Sequence, residues 1–93
     1  MTITVVLPGY LHPYADGRSR IALRAGGATV RDALDALRVS YPGVSHRVLT
    51  EQGEVRPHIN VFVGDENIRF TDGLATPLRD GSEVVILPAV SGG

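Results

Sequence analysis

One stretch of this chain repeats its apolar residues with the period of a helix that buries one face. Val30, Ala33, Leu34, Leu37 and Tyr41 fall at i, i+3, i+4, i+7 and i+11, which places them on a single stripe. Thr29 precedes the stripe and Asp32 follows it by three residues, the spacing of a capping box. Arg31 and Asp35 lie four apart on the opposite side, and Pro42-Gly43 ends the pattern. One helix covers only one face of a sheet, so the rest of the chain must arrange itself around that limit.

The remaining segments read as short strands. Ile3, Val5 and Leu7 alternate with Thr2, Thr4 and Val6, which predicts a strand over Thr2 to Leu7. Pro8 to Gly17 is rich in turn formers and reads as a long loop. Arg18 to Leu23 gives a second strand with Ile21 and Leu23 on one face, making an antiparallel hairpin with the first. Ala25-Gly26-Gly27 breaks it. Residues 44–57 read as irregular, with a short helical turn near His46 to Leu49. His58 to Val63 is a clear strand, turning at Gly64-Asp65-Glu66-Asn67 into a short strand over Ile68 to Phe70. Asp72-Gly73 and Asp80-Gly81 are turns, and Glu83 to Leu87 is the last strand.

The order β-β-α-β-β-β with one main helix predicts an α+β fold of the β-grasp kind, a mixed sheet of four to five strands packed on that helix. The 93 residues form one domain over 1–87 with a C-terminal tail over 88–93. A chain of this size buries about 60–65% of its unfolded surface, enough for one modest core.

The strands are not polar on the side the helix leaves open. If Ile3, Val5, Ile59 and Val61 face the helix, the other side carries Val6, Phe62 and either Val85 with Leu87 or Val84 with Ile86. A sheet face open to water alternates apolar-in and polar-out. Either this face docks a partner, or the loop segments 8–17 or 44–57 fold over it.

Composition removes much chemistry. There are no cysteines, hence no disulfides, thiolate ligands or thiol nucleophiles. There is no lysine; all nine basic residues are Arg, which excludes a phosphate loop ending in Gly-Lys-Ser/Thr and a Schiff base. His12, His46 and His58 are far apart in sequence and lack the spacing of metal ligands. Residues 1–50 carry +3 and residues 51–93 carry −4, without the basic, aromatic-interleaved stripe of a nucleic-acid binder. The acidic half could steer its end toward a basic partner. The apolar runs are too short to span a membrane, and Met1 to Thr4 shows no signal-peptide pattern, so the expected location is cytoplasmic. No self-contained active site is visible.

The end of the chain carries the remaining signal. Directly after Val84-Val85-Ile86-Leu87 come Pro88-Ala89-Val90-Ser91-Gly92-Gly93. Glycine lacks a Cβ, so a Gly-Gly end can enter a narrow active site and present an unhindered carboxylate. Pro88 donates no hydrogen bond and is expected to end sheet pairing and launch the tail. Six extended residues reach about 20 Å at roughly 3.3 Å each. The tail is expected to be mobile from about Ala89 onward, since it offers little apolar area to offset backbone entropy.

The block GSEVVILPAVSGG, Gly81 to Gly93, resembles the C-terminus of the ubiquitin-like sulfur carrier proteins. That family includes the thiazole sulfur carrier and the small subunit of molybdopterin synthase. Length, element order and the Gly-Gly end all agree, so the resemblance covers the whole chain. The stretch HINVFVGDENIRFTDGLATPLRDGSEVVILPAVSGG from His58 is most similar to the actinobacterial carriers of cysteine biosynthesis, with Gly64 to Phe70 and Gly73 to Thr76 as the pieces that carry the likeness. Ile86-Leu87 stands where the molybdopterin subunit usually has aromatics, and the chain is longer than the thiazole carriers.

The resemblance implies a protein cosubstrate rather than an enzyme. An E1-like enzyme, using its own ATP and Mg, would adenylate the Gly93 carboxylate, and a sulfur donor would convert it to a thiocarboxylate. Pro88, Ala89, Val90, Ser91 and Gly92 would lie in the partner's channel, with Leu87, Phe62 and Phe70 as the docking residues. No cofactor or metal is expected on the chain itself. Expected partners are the activating enzyme, a sulfur-accepting synthase (cysteine synthase-like, thiosugar or thiazole) and a metalloprotease that releases product. Conjugation of Gly93 to other proteins, a place as a molybdopterin synthase subunit, and a plain ubiquitin-like interaction domain remain alternatives.

Overall fold

The computed structural model describes residues 1–24 and 29–89. The elements are β1 (Thr2–Val6), a 3-10 helix (Gly9–Ala15), β2 (Arg20–Arg24), α1 (Val30–Ser40), α2 (Pro42–Val48), β3 (Ile59–Val63), β4 (Glu66–Asn67), 3-10 turns at Ile68–Phe70 and Gly73–Ala75, and β5 (Glu83–Pro88). The break at Ala25-Gly26-Gly27 and the end Val90 to Gly93 lie outside the described residues.

The sheet order is β2-β1-β5-β3-β4. The two central strands, β1 and β5, are parallel, and every other neighbour is antiparallel. This is the expected β-grasp, with five strands. One face of the sheet presents Ile3, Val5, Ile21, Leu23, Ile59, Val61, Val84 and Ile86, all buried. α1 lays Val30, Ala33, Leu34 and Leu37 onto that face.

The capping box forms as the spacing requires. The Thr29 hydroxyl accepts from the Asp32 amide at 3.3 Å, and the Asp32 carboxylate accepts from the Thr29 amide at 3.1 Å. Two helix-end donors that would otherwise lack partners are thereby satisfied.

Several expectations are corrected. Residues 8–17 are not an open loop: Gly9–Ala15 winds into a 3-10 helix in which Leu11 and Ala15 both sink into the core. Pro42 ends α1 but also begins α2, since proline's fixed φ and missing N–H suit the first helical position. Val44 and Val48 of α2 are buried, so the region read as irregular opens with a real helix. The Arg47 guanidinium stacks 3.6 Å from the Tyr14 ring, tying α2 to the 3-10 helix. Ile68–Phe70 is a 3-10 turn rather than a strand. Asn67 caps it, its side chain accepting from the Arg69 amide at 3.0 Å, while buried Ile68 pulls the chain off the sheet. The strand there is only Glu66–Asn67, reached through a two-residue turn that places Gly64 at φ +60°, a conformation that glycine adopts without strain.

The last correction concerns Pro88. It belongs to β5 and sits opposite Ile59. The Ala89 amide still donates to the His58 carbonyl at 2.8 Å. Bonded and non-bonded pairs alternate along an antiparallel ladder. With the Ala89–His58 pair bonded, the Pro88–Ile59 pair is a non-bonded one, so the missing N–H removes no rung. Pairing therefore continues one residue beyond the proline, through the bond of Ala89 to His58, the residue before β3.

The core account predicts a graded response to substitution. Leu37→Ala, at a position with no exposure, is expected to lower unfolding free energy by about 2–5 kcal/mol. Thr29→Ala should cost about 1 kcal/mol through the lost cap. Val39→Ala, at an 83% exposed position of the same helix, should change it by under about 0.5 kcal/mol. Urea unfolding followed by circular dichroism checks the order.

Candidate functional site

The sheet face turned away from the helices is set by strand register. Val6 pairs with Arg20 and Val85, Val85 with Phe62, and Phe62 with Asn67. These residues form a row across all five strands, with Val6, Val85 and Phe62 as its apolar centre. Leu87 stands two residues along β5 from Val85, opposite Asn60. Of the two pairs left open by the sequence, Val85 with Leu87 is the one on this face; Val84 and Ile86 are fully buried on the other. Neither loop segment covers it. The 3-10 helix Gly9–Ala15 packs on α2, and Val44 and Val48 of α2 join the helix-side core.

Two large apolar side chains at this end are conspicuously wet. Leu87 is 42% exposed and Phe70 is 85% exposed. Phe70 and Phe62 line one depression whose rim carries Asp65, Glu66, Asn67 and Thr71. Leu87, Phe62 and Phe70, singled out from the sequence, thus lie on or beside one surface. Phe70 reaches it from the 3-10 turn instead of a strand. Val6 and Val85 extend the same surface toward β2.

The polar border is also built by the register. Arg20 of β2 and Glu83 of β5 flank β1 and form an ion pair across it. Both side chains are about half exposed, so the pair contributes at most about 1 kcal/mol to folding. Alternation along the strands did not show this pairing, because it spans two strands far apart in sequence.

At the C-terminal side, β5 carries the chain past the apolar strip to Ala89, and Pro88 is exposed. Val90, Ser91, Gly92 and Gly93 lie outside the described residues. The larger cavity, about 620 Å³, is on the helix side between α1, α2 and the segment 49–56. Its walls mix Arg31, Arg38 and Arg56 with Asp35 and Glu51, and Arg56 spends its guanidinium on the His46 carbonyl at 3.0 and 2.8 Å. The three histidines do not converge: His12 bonds the Leu7 carbonyl at 3.1 Å, His46 is on α2 and His58 precedes β3. Among the described residues, no helix is long and apolar enough to cross a membrane.

Known proteins share this arrangement. The sulfur carrier protein CysO of Mycobacterium tuberculosis is 38% identical over 95 residues, covering 100% of both chains. Small archaeal modifier protein 3 of Haloferax volcanii is 44% identical over 66 residues, 71% of each chain. The crystal structure of Mycobacterium tuberculosis CysO superposes with a TM-score of 0.84 at 37% identity, over 95% of this chain and 99% of that one. The crystal structure of the Amycolatopsis orientalis BexX/CysO complex matches with a TM-score of 0.84 at 36% identity, over 98% and 99% of the two chains. The pattern of the ThiS family matches residues 5–93, from the first strand to the terminal glycine, and this ubiquitin-like chain belongs to that family.

Proposed function

We propose that this protein is a sulfur carrier whose Gly93 carboxylate is activated by adenylation and converted to a thiocarboxylate. The observation that carries the reading is the likeness to the CysO sulfur carrier over the full length of both chains, with the family match running through Gly92-Gly93. The chemistry of the chain agrees. With no cysteine, the sulfur has no thiol side chain to ride on, which leaves the terminus. With no lysine, no phosphate-loop lysine is available, so ATP and Mg belong to an E1-like partner.

In this reading the Gly93 carboxylate oxygen attacks the α-phosphate of ATP and pyrophosphate leaves. A sulfide-level sulfur then attacks the acyl carbon, AMP leaves, and a thiocarboxylate remains. The chain contributes the electrophilic carbon, two glycines with no side chain to obstruct it, and a docking surface. Val6, Val85, Phe62, Leu87 and Phe70 supply apolar area for the partner. Pro88 and Ala89 supply a fixed departure point for Val90, Ser91 and Gly92 in the partner's channel. A CysO seen in complex with BexX supports the idea of a carrier docked on a partner protein. The receiving enzyme is a sulfur-accepting synthase, with cysteine formation from an activated serine the first choice, ahead of thiosugar or thiazole synthesis. A product-releasing metalloprotease would follow in the cysteine route. The expected setting is the cytoplasm.

The archaeal modifier relative favours a second reading, in which the same activated Gly93 is joined to lysines of other proteins. Intact mass separates the two. A carrier gains the mass difference of sulfur over oxygen at its terminus, while a modifier appears as adducts on partner lysines.

Removing Gly93 leaves a carboxylate roughly 3.3 Å short of its place. A misplacement of that order should cut activation about a hundredfold or more, with the circular dichroism spectrum unchanged. Pyrophosphate exchange with the activating enzyme measures it, and undiminished exchange would sink the carrier reading.

Leu87→Asp and Phe62→Asp should each weaken binding to the activating enzyme by about 2–4 kcal/mol, while thermal stability falls much less. Calorimetric titration and thermal melts read the two effects. A collapse in stability at unchanged affinity would assign these residues to folding.

A further inference from the structure

Arg69 is the side chain whose bonds the function above does not use. It has no carboxylate within ion-pair distance among the described residues. Its guanidinium is spent mainly on backbone. Nη2 donates to the Ile59 carbonyl at 2.6 Å and to the Arg56 carbonyl at 3.0 Å, with the Pro57 carbonyl at 3.5 Å. Nε reaches Asn60 Oδ1 at 3.4 Å. Its own amide is held by Asn67 Oδ1 at 3.0 Å.

The ladder geometry explains why these carbonyls need a donor. In an antiparallel pair, a residue's N–H and C=O point to the same side, and the side alternates along the strand. His58 points toward β5, because its carbonyl takes the Ala89 amide. Ile59 therefore points the other way, toward the edge that β4 guards only at Phe62 and Val63. There the Ile59 amide folds back onto the Arg56 carbonyl at 3.0 Å, and the Ile59 carbonyl would face water without Arg69. The side chain stands in for a strand that β4 is too short to provide.

We infer that Arg69 is a positioning residue for the reacting terminus. It fixes the start of β3, and the His58–Ala89 bond passes that fixation to the C-terminal segment, setting where it leaves the sheet. Without Arg69 the start of β3 loosens, the Ala89 rung opens, and β5 departs at Leu87. That moves the launch point back two residues, about 7 Å of strand. The functional part of this inference rests on the Gly93 reading; the tether itself does not.

The experiment compares wild type, Arg69→Met and Arg69→Lys in the full chain. Amide hydrogen exchange is read at Ala89 and Ile59, with Phe62 and Val85 as internal references on the same strand pair. Arg69→Met should speed exchange at Ala89 and Ile59 about tenfold or more while the reference amides hold. Arg69→Lys, whose ammonium can still donate to the Ile59 carbonyl, should recover part of the protection. In activation by an E1-like enzyme of the sulfur carrier systems, Arg69→Met should lower kcat about tenfold and change KM under about threefold, since the apolar face is intact. Unchanged exchange at Ala89 overturns the tether. Equal acceleration of all four amides with a falling denaturation midpoint reduces Arg69 to a fold residue and overturns it too. Faster exchange with unchanged kcat overturns the positioning role. Failure of the carrier reading is distinct: wild type itself would not be activated, and the exchange data would still decide the tether.

Discussion

The parallel pairing of β1 with β5 is the contact on which the molecule depends. It joins the two ends of the sequence at the centre of the sheet, Thr4 beside Glu83, Val5 beside Val84 and Val6 beside Val85. Neither strand can complete its hydrogen bonds without the other, and parallel neighbours require an intervening crossover. The chain between them provides it by way of α1. Leu34 and Leu37 of the helix can then share one buried core with Val5, Val84 and Ile86 only because those strands already lie side by side. Closing a loop of this length costs entropy that grows slowly with its size, and the shared core of fully buried Ile3, Val5, Val84 and Ile86 offsets it.

That central pairing also divides the molecule into two faces with different work. One face receives α1 and α2, with the 3-10 helix Gly9–Ala15 packed on α2. The other keeps Val6, Val85, Phe62 and Leu87 in contact with water. Their hydration is a standing cost that burial against a partner would relieve, at about 25 cal/mol per Å². The Arg20–Glu83 pair marks the border of this strip. Its half-exposed charges are better suited to orienting an approach than to holding the fold.

The site and the fold meet at the end of β5. A strand placed at the sheet centre brings the chain to Ala89 beside the apolar strip on rigid, hydrogen-bonded backbone. Pro88 fits there because its missing N–H falls on a non-bonded position of the ladder. The same proline one residue earlier or later would cost a rung. The Ala89–His58 bond extends the rigid part, and Arg69 anchors the strand that supplies it.

Local pattern was enough for much of this. The stripe from Val30 to Leu37, the Thr29–Asp32 box, the alternation in β1, β3 and β5 and the Gly-Gly end are all short-range features, and each follows from the chemistry of neighbouring residues. From them the sequence by itself determined a β-grasp, an apolar second face containing Phe62, and the segment that carries the terminus. What it left undecided depended on distant partners. Leu11 and Ala15 make a 3-10 helix only because a core exists for them to enter. Phe70 is exposed because Ile68 and the Asn67 cap turn its segment off the sheet. Whether Val84 or Val85 faces water was settled by pairing with β1 and β3, since a one-residue shift exchanges the faces of a strand. The Arg69 tether could not be read from the sequence, because its shortest bonds go to backbone carbonyls, which are the same whatever the residue. Tertiary structure decided these points for one physical reason: they depend on which groups are left without a hydrogen-bond or packing partner, and that is known only when the whole sheet has closed.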